Sequence, residues 1–484
     1  MHQDASVSIF IFHRDLRLVD NTTLIALIEK GHPVIPIFVF TPEQINEKQN
    51  SYFSHPAVQF MCESLKELTQ SLDKLGTNLH LFEGNTLTVL KSLVKSQNIN
   101  VRAIAWNEDY SVYAKERDLS ISSWCESKDI EVLTKEDYGL LGISEGVLPT
   151  LKPYTVFSPF YKKVISELNV RPVHTFRFSK AHFHKIQGAF PDISLDKYYT
   201  PLSTIAVHGG RSHGVKVLDR IRKKEYANYQ EERDRPDLQK TTMASPHLKF
   251  GTISIREMWH AIVEAHGKSH GLLRELVFRD FYLKIYAHDG RLQRGRAMRY
   301  ELDKVLPWKY DKALFTAWCE GRTGYPLVDA GMRELNTTGH QHNRIRMLCA
   351  SVLTKYFLID WRWGMKYYYQ HLVDADVFSN TAGWGFASST GADAVPYFRA
   401  PFNPFIQSKK FDPQAVYIKR WIPELADVDP SDLHSWFDPV KREKYMNASN
   451  FTYPAPILDH QEASRRAVAI FREAGKPKIL SVIN

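Results

Sequence analysis

Two kinds of hydrophobic pattern alternate along the first third of the chain. Short apolar runs rich in β-branched and aromatic residues predict buried strands at residues 7–12, 33–40, 79–82, 101–106 and 130–133. Between them, residues 20–29 and 58–75 carry apolar positions at helical spacing, the first behind an Asp-Asn-Thr-Thr capping run. Because strands separated by helices pair in parallel, the pattern predicts an α/β domain with a doubly wound parallel sheet.

The pattern changes twice further along the chain. From about residue 139 to 206 it weakens into a connector that contains Pro, Gly and His. Beyond residue 207 helical spacing prevails, with helices predicted at residues 215–233, 255–266, 272–287, 312–320, 326–335, 344–359 and 365–371. The predicted domains are therefore an α/β domain at 1–138, a connector at 139–206 and an all-helical domain at 207–484.

Composition narrows the class of protein. No apolar run approaches the roughly 18 residues that a membrane span needs, and the N-terminus lacks the pattern of a secretory signal. The four cysteines form no CxxC pair and no metal-ligand spacing, so we expect no metal site and a reducing cytoplasm. The first strand is not followed by GxGxxG, which argues against an ordinary dehydrogenase. The formal charge of +9 suits a polyanionic partner, although many basic enzymes bind no nucleic acid.

The helical half also contains dense strings that generic amphipathic helices do not show. They are residues 323–333 (TGYPLVDAGMR), 339–347 (GHQHNRIRM), 359–364 (IDWRWG), 374–384 (DADVFSNTAGW) and 387–399 (ASSTGADAVPYFR). In order and spacing they resemble the FAD-binding core of DNA photolyases and cryptochromes. Residues 12–21 (FHRDLRLVDN), 229–236 and 241–251 (TTMASPHLKFG) are similar to further motifs of that family, so the resemblance covers nearly the whole chain.

The resemblance implies an FAD held among the helices. It assigns Thr241, Thr242 and Ser245 to the phosphates, which short hydroxyls can bind, although the same residues are also common helix caps. Arg346 and Asp374 correspond to the family's ion pair at the flavin. The resemblance carries over four further flavin contacts: Tyr229, Arg279, Asn343 and Asp376, the last at the polar edge of the ring system.

Asn380 matches the position that faces flavin N5 in the family. Plant-type cryptochromes resemble this pattern but carry Asp there, and a carboxylate would repel an anionic reduced flavin, so Asn favours photolyase. The alternative is a helix-end Asn that bonds only backbone. Trp384, Trp361 and Trp308 match the family's electron-transfer chain, with Trp363 and Trp318 as structural residues or alternative carriers.

For the substrate, the resemblance implies DNA that contains pyrimidine dimers. Glu275 is assigned to the flipped bases and Met347 to the dimer, and Phe278 and Phe386 would wall the pocket. A basic rim is expected from Arg344, Arg399, Lys409 and Lys410, each of which is as readily a solvated surface charge. Family members usually have Trp at the positions of Phe278 and Phe386, and often at those of His340 and Leu272.

The leading hypothesis is thus an enzyme, a monomer in the cytoplasm (at the nucleoid if bacterial) that repairs cyclobutane pyrimidine dimers with light and reduced FAD. The alternative is a cryptochrome-like photoreceptor with little or no repair activity, which the missing tryptophans favour. Many family members also carry an antenna chromophore of folate or deazaflavin type in the N-terminal domain. The acidic residue typical of folate binders is not visible, since Tyr113 and Ala114 stand there, and the identity of an antenna stays open.

Overall fold

A parallel five-stranded sheet organises the N-terminal part of the chain. The computed structural model describes residues 6–96, 99–167, 169–186, 193–394, 401–447 and 451–476, and the statements below concern these residues. The strand order is β3-β2-β1-β4-β5, with every pair parallel. The strands are β1 Ser6–Phe12, β2 Val34–Phe40, β3 His80–Glu83, β4 Asn100–Asn107 and β5 Glu131–Lys135.

Helices cover both faces of this sheet. All seven residues of β2 are buried, as expected for a central strand packed on two sides. The helices of this part are α1 Thr22–Ile28, α2 Pro42–Ile45, α3 His55–Asp73, α4 Thr86–Ser96 and α5 Val112–Glu126. The predicted doubly wound α/β domain is confirmed, with each strand within two residues of its predicted bounds.

The remainder of the described chain is helical. Its helices are α6 Phe157–Glu167, α7 Arg211–Arg222, α8 Tyr229–Glu232, α9 Ser245–Lys249, α10 Ile255–His266, α11 Gly271–His288, α12 Gly290–Gln293, α13 Tyr300–Val305, α14 Lys312–Cys319, α15 Pro326–Thr338, α16 Asn343–Ser351, α17 Trp361–His371, α18 Val377–Ala387, α19 Pro404–Phe411, α20 Val416–Trp421, α21 Pro430–Leu433, α22 Pro439–Met446 and α23 His460–Ala474. One π-helical turn, Val352–Tyr356, continues α16. Among the described helices, none combines the length and the apolar character that crossing a bilayer requires.

Two predictions about elements were wrong. The single helix predicted at residues 215–233 is broken, because α7 ends at Arg222 and Lys224 takes a left-handed φ of 60° that turns Tyr226 into the core. The predicted connector contains a full helix, α6, whose Phe157 and Phe160 pack on Phe281 of α11. Phe157, Phe160 and Val164 are buried at helical spacing within α6, so this helix has a local apolar pattern that the sequence analysis did not use.

A buried ion cluster joins the sheet domain to the helical part. Arg256 of α10 is 3% exposed, and its guanidinium contacts the carboxylates of Asp20 at 2.7 Å and Asp137 at 2.6 Å. Arg17 pairs with Asp137 at 2.6 Å from the other side. Burial alone would raise the pKa of Asp137, but Arg17 and Arg256 outweigh it and hold that pKa well below its usual value. The two parts of the molecule therefore meet through fixed charges as well as apolar contacts.

Candidate functional site

A carboxylate with one free oxygen lies where three helical segments meet. Asp374 Oδ2 accepts hydrogen bonds from Arg346 Nη2 of α16 at 3.1 Å and from Ser245 Oγ of α9 at 2.6 Å. Its Oδ1 is buried and has no hydrogen-bond partner among the described residues. Burial would raise the pKa of Asp374, but Arg346 and Ser245 lower it below its usual value, so the group is an anion. A buried, unsatisfied anionic oxygen indicates a polar ligand at this point.

One face of α18 lies next to this carboxylate and fronts open space. Asn380 is half-buried, and its Nδ2 donates to the carbonyl of Met365 at 3.0 Å, which leaves the amide oxygen as the group free to face a ligand. Three residues on, a methyl group built on Gly383 would meet no atom within 4 Å. Since positions three apart share a helix face, the space in front of Asn380 is unfilled. This cradle and the free oxygen of Asp374 fit a large, flat cofactor with polar edges such as a flavin.

Asp376 begins α18 and is fully engaged with the protein. Its Oδ1 accepts the N–H groups of Phe378 and Ser379 as a helix N-cap, at 3.0 and 3.1 Å. Its Oδ2 accepts from Arg14 Nη1 at 2.7 Å and from Tyr138 Oη at 2.8 Å. Burial would raise the pKa of Asp376, but Arg14 lowers it below its usual value. Sequence reasoning missed Arg14, a residue of the β1–α1 loop, because the contact spans 362 positions.

The other residues assigned to FAD differ in their surroundings: Tyr229 and Arg279 are packed within the protein, and the rest are open to solvent. Tyr229 is buried at the start of α8 near the Arg233–Glu275 ion pair, and burial, followed by the Glu275 carboxylate, raises its pKa. Arg279 donates to the backbone oxygens of Tyr138 and Leu248 and stacks on the Tyr138 ring. The side chains of Thr241, Thr242 and Asn343 are exposed or half-exposed to solvent, like that of Ser245.

The helix-cap alternative for the hydroxyls applies to only part of the set. Ser245 is not a cap, because α9 is preceded by Ala244 and the Ser245 hydroxyl donates to Asp374. Thr242 Oγ1 accepts from the Ala244 N–H at 3.4 Å, which is a local turn contact.

The residues assigned to the substrate differ in how accessible their side chains are. Met347 is half-exposed on α16 beside Asn343, and Glu275 is held by Arg233 at 2.6 Å. The ring of Phe278 stacks on Phe157 of α6 with centroids 3.4 Å apart and planes 7° apart, so one of its faces is covered. Phe386 is half-buried in the last turn of α18.

Two positions that often carry Trp in the family are not open walls here. Leu272 is 3% exposed and belongs to the helical core, and His340 faces Glu334 at 3.5 Å. Within the expected basic rim, Arg344 is paired with Asp234 at 2.7 Å, and Lys410 lies over the Phe411 ring. Arg399 lies outside the described residues.

The three tryptophans lie on α17, on α18 and after α13. Trp384 packs directly on the backbone of Gly364, where an added methyl group would come within 2.0 Å of the indole. Its ring contacts Tyr368 at 5.1 Å and Trp318 at 6.1 Å between centroids. Trp361 and Trp308 both donate their indole N–H to Asp303, a residue that no sequence signal singled out.

A second buried polar cluster lies near the carboxyl ends of the strands of the sheet. Arg14, held by Asp109 at 2.8 Å, lies close to Arg117, and both guanidiniums act on His13. Burial, followed by these two cations, holds the pKa of His13 well below its usual value, and neither ring nitrogen has a partner among the described residues. Burial also lowers the pKa of Lys249 to about 8, against the nearby Asp376 carboxylate. Each arginine of this cluster is paired with a carboxylate, Arg14 with Asp109 and Asp376 and Arg117 with Asp118 at 2.7 Å, so the feature of the cluster is a neutral imidazole with both ring nitrogens unpartnered among the described residues.

Comparisons with known proteins agree with this geometry. A family model described as DNA photolyase matches residues 8–177, and one described as the FAD binding domain of DNA photolyase matches residues 272–473. A protein of Alkalihalophilus pseudofirmus named deoxyribodipyrimidine photo-lyase is 33% identical, over 95% of this chain and 97% of that protein.

Solved structures extend the similarity to the whole fold. An archaeal photolyase from Sulfolobus tokodaii, solved with two FAD molecules, is 36% identical with a TM-score of 0.82, over 96% of this chain and 99% of that one. A cryptochrome of Synechocystis sp. is 25% identical with a TM-score of 0.85, over 97% of this chain and 100% of that one.

Proposed function

The chain belongs to the DNA photolyase family, and on that premise we propose that it repairs cyclobutane pyrimidine dimers in DNA with blue light and FAD. One observation carries the proposal. The Asp374 carboxylate, fixed by Arg346 and Ser245, keeps a free buried oxygen beside the open face of α18 that presents Asn380. The site thus combines an anionic anchor, an adaptable amide and an unfilled space among the helices.

The residues that would hold the cofactor are those around this space. Ser245, Thr241 and Thr242 would bind its phosphates, and Arg346, Asp374, Asn343 and Asn380 would surround its ring system. Tyr229, Arg279 and Asp376 would contact the cofactor as well. Arg279 and Asp376 are both held in place by hydrogen bonds with Tyr138. When bound, the flavin supplies the light absorption and the one-electron chemistry, while the protein supplies binding and orientation.

The amide of Asn380 is well suited to its position. Its nitrogen donates to the Met365 carbonyl. Because the side chain is an amide, it adds no charge in front of the ring system. A negatively charged side chain here would repel an electron-rich flavin. Trp384, Trp361 and Trp308 are proposed as the one-electron carriers between this site and the surface.

DNA would bind at the opening formed by α11, α16 and α18. Glu275 and Met347 would contact the flipped bases, and Phe278 and Phe386 would stack against them. Base–aromatic stacking contributes about 1–3 kcal/mol per base, and phenylalanine offers less area than tryptophan. The proposed setting is a cytoplasmic monomer that acts on dimer-containing DNA.

A cryptochrome-like photoreceptor is the second candidate, and the Phe157–Phe278 stack favours it. A ring whose one face is already covered has a single face left for a base. The chain also matches a cryptochrome along its whole length.

We also propose that a second, light-harvesting chromophore of folate or deazaflavin type binds beside the polar cluster of His13, Arg14 and Arg117. The arginines are already paired with carboxylates, so they would orient hydrogen-bonding groups rather than neutralise the chromophore. The unpartnered His13 ring supplies a further donor or acceptor.

A repair assay tests the main proposal. The purified protein is reduced, mixed with an oligonucleotide that contains a thymine dimer, and exposed to blue light; loss of the dimer is measured by chromatography. Dark samples and undamaged oligonucleotide are the controls. If the reduced, flavin-loaded protein neither prefers damaged DNA nor repairs it, the photolyase proposal fails and the photoreceptor takes its place.

A further inference from the structure

One carboxylate oxygen accepts the indole N–H groups of two tryptophans. Asp303 Oδ1 lies 3.1 Å from Trp308 Nε1 and 3.1 Å from Trp361 Nε1. The carboxylate is 7% exposed and sits in α13, whose first turn is fixed by a backbone hydrogen bond from Asp303 to Arg299. The two rings differ in surroundings, since Trp361 is 1% exposed and Trp308 is half-buried.

The positive charge that pairs with Asp303 lies over only one of the two indole rings, that of Trp361. Arg362 Nη2 pairs with Asp303 Oδ2 at 2.6 Å, and its guanidinium carbon lies 4.6 Å from the centre of the Trp361 ring. Arg362 is held in place by the Gly295 carbonyl and by Asp360, both through hydrogen bonds. Among the described residues, no cation occupies the same position over Trp308.

We propose that Asp303 and Arg362 form an electrostatic bias that moves an oxidised indole outward from Trp361 to Trp308. This inference rests on the proposed function, in which Trp384, Trp361 and Trp308 carry single electrons between the FAD site and the surface. When Trp361 has lost an electron inward, Trp308 gives it one electron and becomes the radical cation itself. One electron moves inward, one positive charge moves outward, and no bond forms or breaks.

The direction follows from the positions of the charges. A positive charge on either indole is stabilised by the Asp303 carboxylate, because both N–H groups point at the same oxygen. On Trp361 that charge also meets the guanidinium over its face, which repels it. On Trp308 the charge keeps the carboxylate, has no cation over the ring face among the described residues and is better solvated. The radical cation is therefore more stable on Trp308, the more exposed of the two tryptophans.

The first test removes the negative charge and keeps its shape. In Asp303→Asn, the amide oxygen can still accept the indole N–H groups, but both indoles lose the negative charge that stabilises a radical cation, and Arg362 keeps only Asp360 as an ionic partner. After a blue flash on the oxidised, FAD-loaded protein, the yield of long-lived tryptophan radical should fall at least about tenfold relative to the parent. Asp303→Glu, which restores the charge, should recover most of the yield.

Asp360→Asn is the matched control. Asp360 also pairs with Arg362, at 3.0 Å, but caps α17 through the Arg362 N–H and has no bond to either indole. Asn is a good N-cap, so the helix is kept. This variant should change the radical yield by less than about twofold. An Asp303→Asn yield equal to that of Asp360→Asn would overturn the inference.

Two further measurements separate this inference from the proposed function. If the parent gives no long-lived radical, or if Trp308→Phe leaves it unchanged, the tryptophan chain itself is wrong. If the parent signal requires Trp308 and survives Asp303→Asn, only the electrostatic bias is wrong. In the dark, two indole N–H resonances of ¹⁵N-labelled protein should shift in Asp303→Asn and stay in place in Asp360→Asn, whatever the light chemistry does.

A second variant covers the case in which Asp303→Asn does not fold. Arg362→Gln removes the cation from the face of Trp361, so the fraction of radical that rests on Trp308 should fall at least about threefold. Polarised transient absorption distinguishes the two indoles by their orientation. An unchanged fraction would contradict the proposed bias.

Discussion

Replacing Arg256 with methionine tests the ion cluster that joins the two halves of the molecule. Methionine keeps the length and apolar stem of the side chain but removes one of the charges that pair with Asp20 and Asp137, which are 0% and 4% exposed and keep Arg171 and Arg17 as partners. Breaking a buried pair by removing one partner costs about 3–5 kcal/mol. Bonds from Arg256 to the backbone oxygens of both aspartates are lost as well, so we expect the upper half of that range. Against a typical stability of about 5–15 kcal/mol, this is a large fraction.

Urea unfolding followed by circular dichroism measures the effect, and its pH dependence identifies the cause. The pKa of Asp137 is held low in the folded parent, so its contribution to stability is present at neutral pH and is lost in acid. In the variant both carboxylates protonate more readily, and the difference from the parent should therefore shrink below about pH 4. Arg294→Met is the control, because the Arg294–Glu116 pair also links the two halves but is 67% and 68% exposed. A loss below about 1 kcal/mol, or a loss that does not depend on pH, would refute the electrostatic account.

Three further predictions concern the site. Trp384→Phe should slow the photoreduction of bound oxidised flavin sharply while FAD stays bound, as absorption spectroscopy would show; a rate equal to the parent's would shift attention to Trp318 and Trp363. Arg14→Gln removes the main cation that keeps the pKa of Asp376 low, so acid unfolding should begin at higher pH, whereas Lys30→Gln at an exposed pair should leave it unchanged. Asn380→Asp should lower the free energy of unfolding by about 1–3 kcal/mol near neutral pH, because it replaces the donor to Met365 with an acceptor. This loss should become smaller in acid as the new carboxyl protonates.

Local pattern was sufficient for the elements with strong periodicity. The predicted strand at residues 101–106 lies within β4, and the helix at 255–266 has the bounds of α10. The helices from α18 onward were missed; α19 to α22 are short, whereas α23 has 15 residues with buried positions at helical spacing and could have been predicted. Several begin with an Asx–Pro pair, such as Asn403-Pro404 and Asp438-Pro439, a capping signal that sequence reasoning passed over.

For the site, the sequence supplied candidate residues, and the structure adds the contacts that those residues make. Sequence resemblance named Arg346, Asp374 and Ser245, and the structure brings all three into one hydrogen-bonded group. It could not name Arg14 or Asp303, because their roles depend on contacts between segments that are distant in sequence. The covering of Phe278 by Phe157 was hidden for the same reason, since the two rings lie 121 positions apart in the sequence.

The contact between Gly364 and Trp384 has a consequence for how related sequences diverge. Because the indole occupies the place of a side chain at position 364, a lineage cannot replace that glycine while it keeps the large ring. The ring must shrink first, and only then is the glycine released. The two positions should therefore change together across homologues, and glycine should persist at 364 wherever a tryptophan persists at 384.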